Sequence, residues 1–310
     1  MYRNEMNPKV SPSRFITVRK NTNRACLTIS PQSKLHEALT TATSFLEYNK
    51  EIEYVILVTD QMDLAGLQSR YPAITFLSTN FLDDEILKRM TKIYSKMEFA
   101  YAMTPFAIKY LLANSYGQVL FLKLETLVLG DLGPLFTKLD LNSAIVTPHL
   151  LSLDATVAKI SQEVDVLLAG VFNGGVVGFA NTPEALKYLD WWSHKTKSQC
   201  FLDVSNGLHY EQRWLDFITS FVSDFSIIGN RGVNVAHWNL HERDLNMKDG
   251  LLYAGSEKCL VFRFSGFDEN NPINLTRYKP NLSEKDLAAA HSVFDKYKKE
   301  LLRHKVLLGG

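Results

Sequence analysis

Three cysteines in 310 residues (Cys26, Cys200 and Cys259), far apart and in no C-x-x-C pair, are too few and too scattered for a disulfide framework or a zinc site. A charge imbalance is missing as well. The 34 basic and 33 acidic side chains leave a net charge of +1, which removes any global argument for a nucleic-acid partner. No run of about 18 apolar residues occurs, so there is no signal for a membrane-spanning helix. Residues 1–20 lack the apolar centre of a secretory signal, which makes a reducing cytoplasm the expected location. H-E-x-x-H, G-x-S-x-G and G-x-x-x-x-G-K-[ST] are all absent, and zinc peptidase, α/β-hydrolase and P-loop readings go with them.

What is present reads as alternating strands and helices, with 46% hydrophobic residues to build a core. Ala25–Ser30 is a first strand, Lys34–Tyr48 a helix, and Tyr54–Asp60 a β-branched strand ending on an acid. Ile74–Leu77 follows, then a helix over Asp83–Met97 and an apolar helix over Phe99–Ala113 with Pro105 at its start or a kink. Ser143–Thr147, Phe225–Ile228 and Cys259–Phe264 are further strands, Asn173-Gly174-Gly175 breaks the chain just before another that runs to Phe179, and Leu150–Gly170 gives no clear pattern. Thr182 is placed to cap a helix from Pro183 to Lys197. That helix carries Trp191 and Trp192, which suit core and flank better than an acceptor sugar.

The most informative stretch is Val119–Phe136, VLFLKLETLVLGDLGPLF. Its apolar run breaks at Gly130-Asp131, as a buried strand does at a sheet edge, and places Lys123 and Glu125 where open α/β sheets bind ligands. It resembles the nucleotide-sugar-binding strand of bacterial GT-A glycosyltransferases of the family 8 type, in which an apolar strand enters Asp-x-Asp and then a Val, Gly-Asp-Leu, Leu-Phe tail. The tail is intact here at Leu127–Leu132 and Pro134–Phe136, but the two Asp positions hold Lys123 and Glu125. Further blocks match in the family's order: Phe172–Gly175, Glu211–Trp214, the ten residues Asn234–Arg243, and Phe264–Phe267.

The resemblance spans about Ala25–Tyr278 and implies a GT-A, Rossmann-like mixed sheet flanked by helices, with a C-terminal helical extension. The implied divisions are a loose arm (1–24), the transferase domain (25–280) and a basic helix (281–310). It also implies that Thr28, Ile29, Ser30 and Asp60 line a nucleoside pocket, although Thr28 and Ser30 suit the start of the following helix equally well. Family members hold a divalent metal through Asp-x-Asp and a late histidine. Here the first Asp is Lys123, the second is Glu125, and the histidine position is Arg263. The expectation is a site needing no metal, in which Lys123 and Arg263 supply the positive charge at the diphosphate. Weak Mg²⁺ or Mn²⁺ binding at Glu125 is the alternative for the cofactor, and an inactive sugar-nucleotide-binding scaffold the alternative for the whole chain.

Glu211 and Gln212 fall where related enzymes carry an acid-Gln pair facing the sugar, with an ion pair between Glu211 and Arg213 or a nearby lysine at a helix start as the competing reading. Asn173 and Gly174 would contact the donor sugar, and Asn234, His237, Trp238, Ser265 and Gly266 would surround the diphosphate. The implied partners are a nucleotide-sugar donor and a glycan or lipid-linked acceptor. In the tail, Lys296, Lys298, Lys299, Arg303 and Lys305 interleave with apolar residues. Such a helix either packs its apolar stripe on the domain or rests on anionic lipid at the inner membrane.

Overall fold

The computed structural model describes residues 23–152, 160–268, 276–278 and 284–309. Most of the expected arm therefore lies outside the described residues. Arg24 already belongs to the fold as the first residue of a strand, and the Asn23 carbonyl accepts from the Gly117 N–H at 2.9 Å.

The chain runs β1 (Arg24–Ser30), α1 (Leu35–Tyr48), β2 (Glu53–Val58), α2 (Ala65–Arg70), β3 (Ile74–Ser78), α3 (Asp84–Ile93), α4 (Lys96–Ala102), α5 (Thr104–Asn114), β4 (Gln118–Leu122), β5 (Thr126–Val128), α6 (Gly133–Leu139) and β6 (Ala144–Pro148). It continues through α7 (Ile160–Ala169), β7 (Phe172–Ala180), α8 (Pro183–Thr196), the short pair β8 (Leu202–Asp203) and β9 (Leu208–His209), a 3₁₀ helix (Gln212–Phe217), α9 (Ile218–Phe221) and β10 (Phe225–Ile227). It ends with α10 (Leu240–Arg243), β11 (Leu245–Lys248), β12 (Leu251–Ala254), β13 (Glu257–Lys258), β14 (Val261–Arg263) and α11 (Glu284–Leu307).

Seven strands form one mixed sheet in the order β10-β6-β7-β4-β1-β2-β3. β4, β1, β2 and β3 are parallel, and β7 enters antiparallel between β4 and β6. Both faces are covered. Ala25, Leu27, Val55, Leu57, Val119 and Phe121 face one core, with α4, α5 and α8, while Cys26, Tyr54, Ile56, Val58, Leu120 and Leu122 face another, with α1 and α6. This two-sided burial explains the continuous apolar runs in the sequence.

Several expected elements are redrawn. The run Val119–Leu129 is two strands, because Glu125 takes a left-handed conformation (φ 61°) that turns β5 out of the main sheet to pair with β14. The helix expected over Phe99–Ala113 is also two. Ser95 and Glu98 close a capping box at the start of α4, and the chain resets at Met103 so that Pro105, which lacks an N–H, falls in the first turn of α5. The meander β11–β13 was not among the expected elements. Thr182 caps α8, its hydroxyl accepting from the Ala185 N–H at 3.2 Å.

The tail packs its apolar stripe on the domain. Ala289, Ala290, Val293, Phe294, Tyr297 and Leu301 are buried against a third core that includes Leu245, Phe262 and Phe264, with the Tyr297 ring stacked on Phe264 at 4.1 Å. Of its basic residues, Lys296 reaches Glu47 of α1 at 2.9 Å. Among the described residues no helix is long and apolar enough to cross a membrane. All three cysteines are buried and unpaired.

Candidate active site

The carboxyl ends of β1, β2 and β4 share one edge of the sheet, and the antiparallel β7 brings its first residues to the same edge. Lys123 follows directly on β4, and its N–H donates to the Gly175 carbonyl at 3.0 Å. This register places Lys123, Asn173, Gly174 and Gly175 side by side, as an open α/β sheet places a ligand site.

At the centre is an ion pair. Lys123 Nζ donates to Glu211 Oε1 at 2.5 Å and sits 3.8 Å from the centroid of the Tyr101 ring. The two side chains are 11% and 0% exposed. Among the described residues Glu211 Oε2 has no hydrogen-bond partner. Glu211 is held from behind, since Trp192 Nε1 donates to its carbonyl at 3.0 Å. It lies so close to Gly174 that a Cβ there would be 2.8 Å from Oε1. Trp192 is thus core, and Trp191 packs on Trp214, Phe217 and Phe221 at the surface.

Beside this pair lies a second cation, Arg263, 4% exposed at the end of β14. Its backbone N–H donates to the Val235 carbonyl, yet among the described residues Nε and Nη1 have no partner. The guanidinium lies directly over Gly175, where a Cβ would be 1.8 Å from Nη1. Burial pulls the Arg263 pKa down and the Glu125, Tyr101 and Glu211 charges nearby push it back up, leaving it below the usual value. Glu125 is half-buried, and its carbonyl accepts from the Phe264 N–H at 2.7 Å. Burial raises its carboxyl pKa despite the opposing Arg263, Lys34, Arg277 and Lys123.

A polar floor links these groups. Asn173 Oδ1 accepts from the Gly175 N–H at 2.8 Å and from Asn234 Nδ2 at 3.2 Å, while its Nδ2 donates to His149 Nε2 at 2.9 Å. Gln212 Oε1 accepts from the Gly174 N–H at 3.2 Å, and its Nε2 donates to His209 Nδ1 and to the Ala169 carbonyl. Burial holds His149 and His209 down to about 4, so both are neutral and can accept. Asn234, itself at φ 60°, has no partner for its buried Oδ1 among the described residues. His237, also held down to about 4 by burial and by Arg263, packs between Trp238 and Tyr278, and the Tyr278 ring covers Gly266 (φ 77°). The Ser265 carbonyl accepts from Thr276 Oγ1 at 2.8 Å.

The other expected residues are placed differently. Thr28 is fully buried, and its hydroxyl is spent on Tyr54 Oη (2.5 Å) and the Leu122 carbonyl (2.8 Å). Ile29 is core, and the Ser30 hydroxyl donates to the Pro31 carbonyl at 2.8 Å, so neither hydroxyl is turned to a nucleoside and neither caps α1. Asp60 does reach the sheet edge, where it accepts from the Gln32 N–H (2.7 Å) and Lys96 Nζ (2.6 Å). Partial burial raises its pKa, but those two bonds outweigh it and keep it below the ordinary carboxylate value.

The block Asn234–Arg243 owes part of its pattern to architecture. Asn239 bonds the Ala236 N–H and the Asn234 carbonyl, and Glu242 accepts from the Leu151 and Ser152 N–H groups while pairing with the buried Arg243 at 3.4 Å.

Sequence reasoning missed Tyr101, His149, His209, Glu37 and Arg277. His149 directly follows β6 at the ligand edge, which was a usable signal, whereas Tyr101 sits in α4 among apolar residues and offered none. Glu37 is 5% exposed, paired with Lys34, and pushed up to about 7 first by burial and then by Glu125. Arg277 is exposed, with its N–H donating to the Gly266 carbonyl at 2.7 Å.

A divalent cation is implied here by the family resemblance, but the side chains do not fit one. Among the described residues no three Asp, Glu, His or Cys groups converge. Two of the three expected ligand positions carry an ammonium bonded to Glu211 and an unpaired guanidinium, which repel a cation and attract an anion.

No protein-family model matches the chain. Among curated proteins, it is 21% identical over 287 residues to YfnF of Bacillus subtilis strain 168, covering 90% of this chain and 93% of that protein. It is 21% identical over 245 residues to YfnD of the same strain, covering 77% and 76%. Both are uncharacterized proteins. Among solved structures, the galactosyltransferase LgtC in complex with donor and acceptor sugar analogues is 15% identical, with 89% of this chain and 95% of that one covered and a TM-score of 0.54. The apo bifunctional glycosyltransferase WbbM is 14% identical over 93% of this chain with a TM-score of 0.53, and the chain spans only 52% of it. These likenesses define the fold as GT-A.

Proposed function

We propose that the protein transfers a sugar from a nucleotide diphosphate donor, a UDP-sugar, to a glycan or lipid-linked glycan acceptor of bacterial surface polysaccharide, with Lys123 and Arg263 in place of a metal. The observation that carries this is the buried Arg263 guanidinium, two of whose nitrogens have no partner among the described residues, beside the ligand edge of a GT-A sheet. An unpaired buried cation is costly unless an anion completes it, and a diphosphate leaving group is such an anion. Each fixed charge aimed at the departing phosphate can lower the barrier by about 3 kcal/mol. Support from relatives is the shared fold of LgtC, solved with donor and acceptor sugar analogues.

In this reading Asn234 Oδ1, an open acceptor, takes a donor-sugar hydroxyl, and Asn173 and Gln212 hold the floor on which the sugar lies. His237, Trp238 and Tyr278 wall the diphosphate, with Ser265 and Gly266 contributing backbone. Asp60 meets the ribose. Glu211 faces the transfer centre through Oε2, where it either takes the acceptor hydroxyl's proton or stabilises an oxocarbenium-like carbon.

The test is calorimetric titration of UDP and UDP-sugars in EDTA and then with Mn²⁺, followed by UDP release in the presence of acceptors. Binding that EDTA leaves unchanged and that Arg263→Gln abolishes is the expected result. Binding that needs Mn²⁺ returns Glu125 to the role of metal ligand, and binding without turnover leaves a scaffold.

A further inference from the structure

Lys123 cannot serve Glu211 and a diphosphate to the same extent at once. Its ammonium has three N–H bonds, one already on Glu211 Oε1, and the Tyr101 ring closes another side at 3.8 Å. The two partners are also held differently. Glu211 is fully buried and its carbonyl accepts from Trp192 Nε1, whereas Lys123 is 11% exposed, with its backbone held by the Gly175 carbonyl and the Thr126 hydroxyl and its ammonium bonded, among the described residues, to Glu211 alone. The ammonium rides on a flexible four-carbon stem and is the member that can move. Lys123 Nζ is also the only hydrogen-bond partner either Glu211 carboxylate oxygen has among the described residues. If it leaves, the whole carboxylate becomes available.

Resting on the donor reading above, we propose that Lys123 is a shared cation: the donor's diphosphate draws its ammonium away from Glu211, so that the carboxylate is released for the acceptor only when a donor is in place. The chemistry favours the exchange, because a diphosphate offers more negative charge and more acceptor oxygens than a single carboxylate. A carboxylate bonded to an ammonium is a poor proton acceptor and a poor electrostatic partner for a developing carbocation, so acceptor activation becomes conditional on donor occupancy. Lys123 then acts as a positioning residue for Glu211 as well as a ligand of the donor. Because linkage is reciprocal, whatever the diphosphate does to the Lys123–Glu211 pair, the pair does to diphosphate affinity.

The experiment is titration of UDP, and of uridine as a phosphate-free control, into wild type and Glu211→Gln. The substitution keeps the shape of the side chain and removes the competing charge, so UDP should bind roughly tenfold more tightly while uridine binding does not change. A crystal structure of wild type with UDP should show Lys123 Nζ on a phosphate oxygen and no ammonium on Glu211. Unchanged or weaker UDP binding by Glu211→Gln overturns the exchange, as does an intact Lys123–Glu211 bond in the UDP complex. The complex structure decides alone if Glu211→Gln does not fold, which a melting curve reveals. Failure of wild type to bind any nucleoside diphosphate removes the donor reading and this inference together; wild-type binding without the Glu211→Gln effect removes only the inference.

Discussion

Gly175→Ala tests whether the guanidinium of Arg263 is held where the donor needs it. The backbone of Gly175 passes directly beneath that group. A Cβ would lie 1.8 Å from Arg263 Nη1, 2.5 Å from Asn173 Oδ1 and 2.9 Å from Asn234 Oδ1, all closer than real side chains pack. Gly175 is not in the left-handed region, so the cost is steric and not conformational. Asn173 and Asn234 are tied to each other and to neighbours, which leaves the end of Arg263 to move. Overpacking of this kind costs about 2 kcal/mol. For a chain of this size that is a fall in Tm of about 4 °C. Loss of a charge-assisted contact to the diphosphate weakens UDP binding about tenfold. Thermal melting and calorimetry read the two effects separately. Gly66→Ala in α2, where a Cβ meets nothing within 4 Å, is the control and should be neutral or stabilising by up to about 1 kcal/mol. Wild-type Tm and wild-type UDP affinity in Gly175→Ala would refute the argument.

Three further outcomes follow from the same geometry. Glu37 has its folded pKa raised to about 7, so the folded state holds a proton that the unfolded chain releases at lower pH; stability is lost as pH climbs from about 4.5 to 7. Glu37→Gln should therefore gain about 1–3 kcal/mol over wild type at pH 8 and nothing at pH 4.5 in denaturant titrations, and equal gains at both would contradict the assignment. Trp192→Phe removes the donor to the Glu211 carbonyl and should cost about 1–2 kcal/mol, visible as a lower Tm; an unchanged Tm would show that the bond does not stabilise the fold. Arg277→Ala changes an exposed side chain and should leave stability within about 0.5 kcal/mol while raising the UDP Kd severalfold, and an unchanged Kd would exclude Arg277 from the donor site.

The order of strands and helices was legible because each is a local signal. Thr182 before Pro183 marked a cap, and the buried runs of β1, β2 and β4 marked strands covered on both faces. The meander β11–β13 was missed although Asp249-Gly250, both at positive φ (52° and 74°), is a recognised hairpin turn. The strands beside it are short and weakly apolar, and their core is completed by α11 from far along the chain. Splitting of the Val119–Leu129 run depended on Glu125 at φ 61°, a conformation that a glutamate does not advertise.

Residues by themselves pointed to alternating strands and helices of an α/β fold, because composition and period are properties of the chain read locally, and the resemblance of its blocks added the GT-A expectation. Only the tertiary structure decided which groups meet. Lys123 is bonded to Glu211, 88 residues away, the Thr28 hydroxyl is spent on Tyr54 and Leu122, and Arg263 lies unpaired over Gly175. The physical reason is that β7, inserted antiparallel between β4 and β6, sets the register that brings these distant side chains to one edge, and a side chain's partners follow from register and not from its own identity.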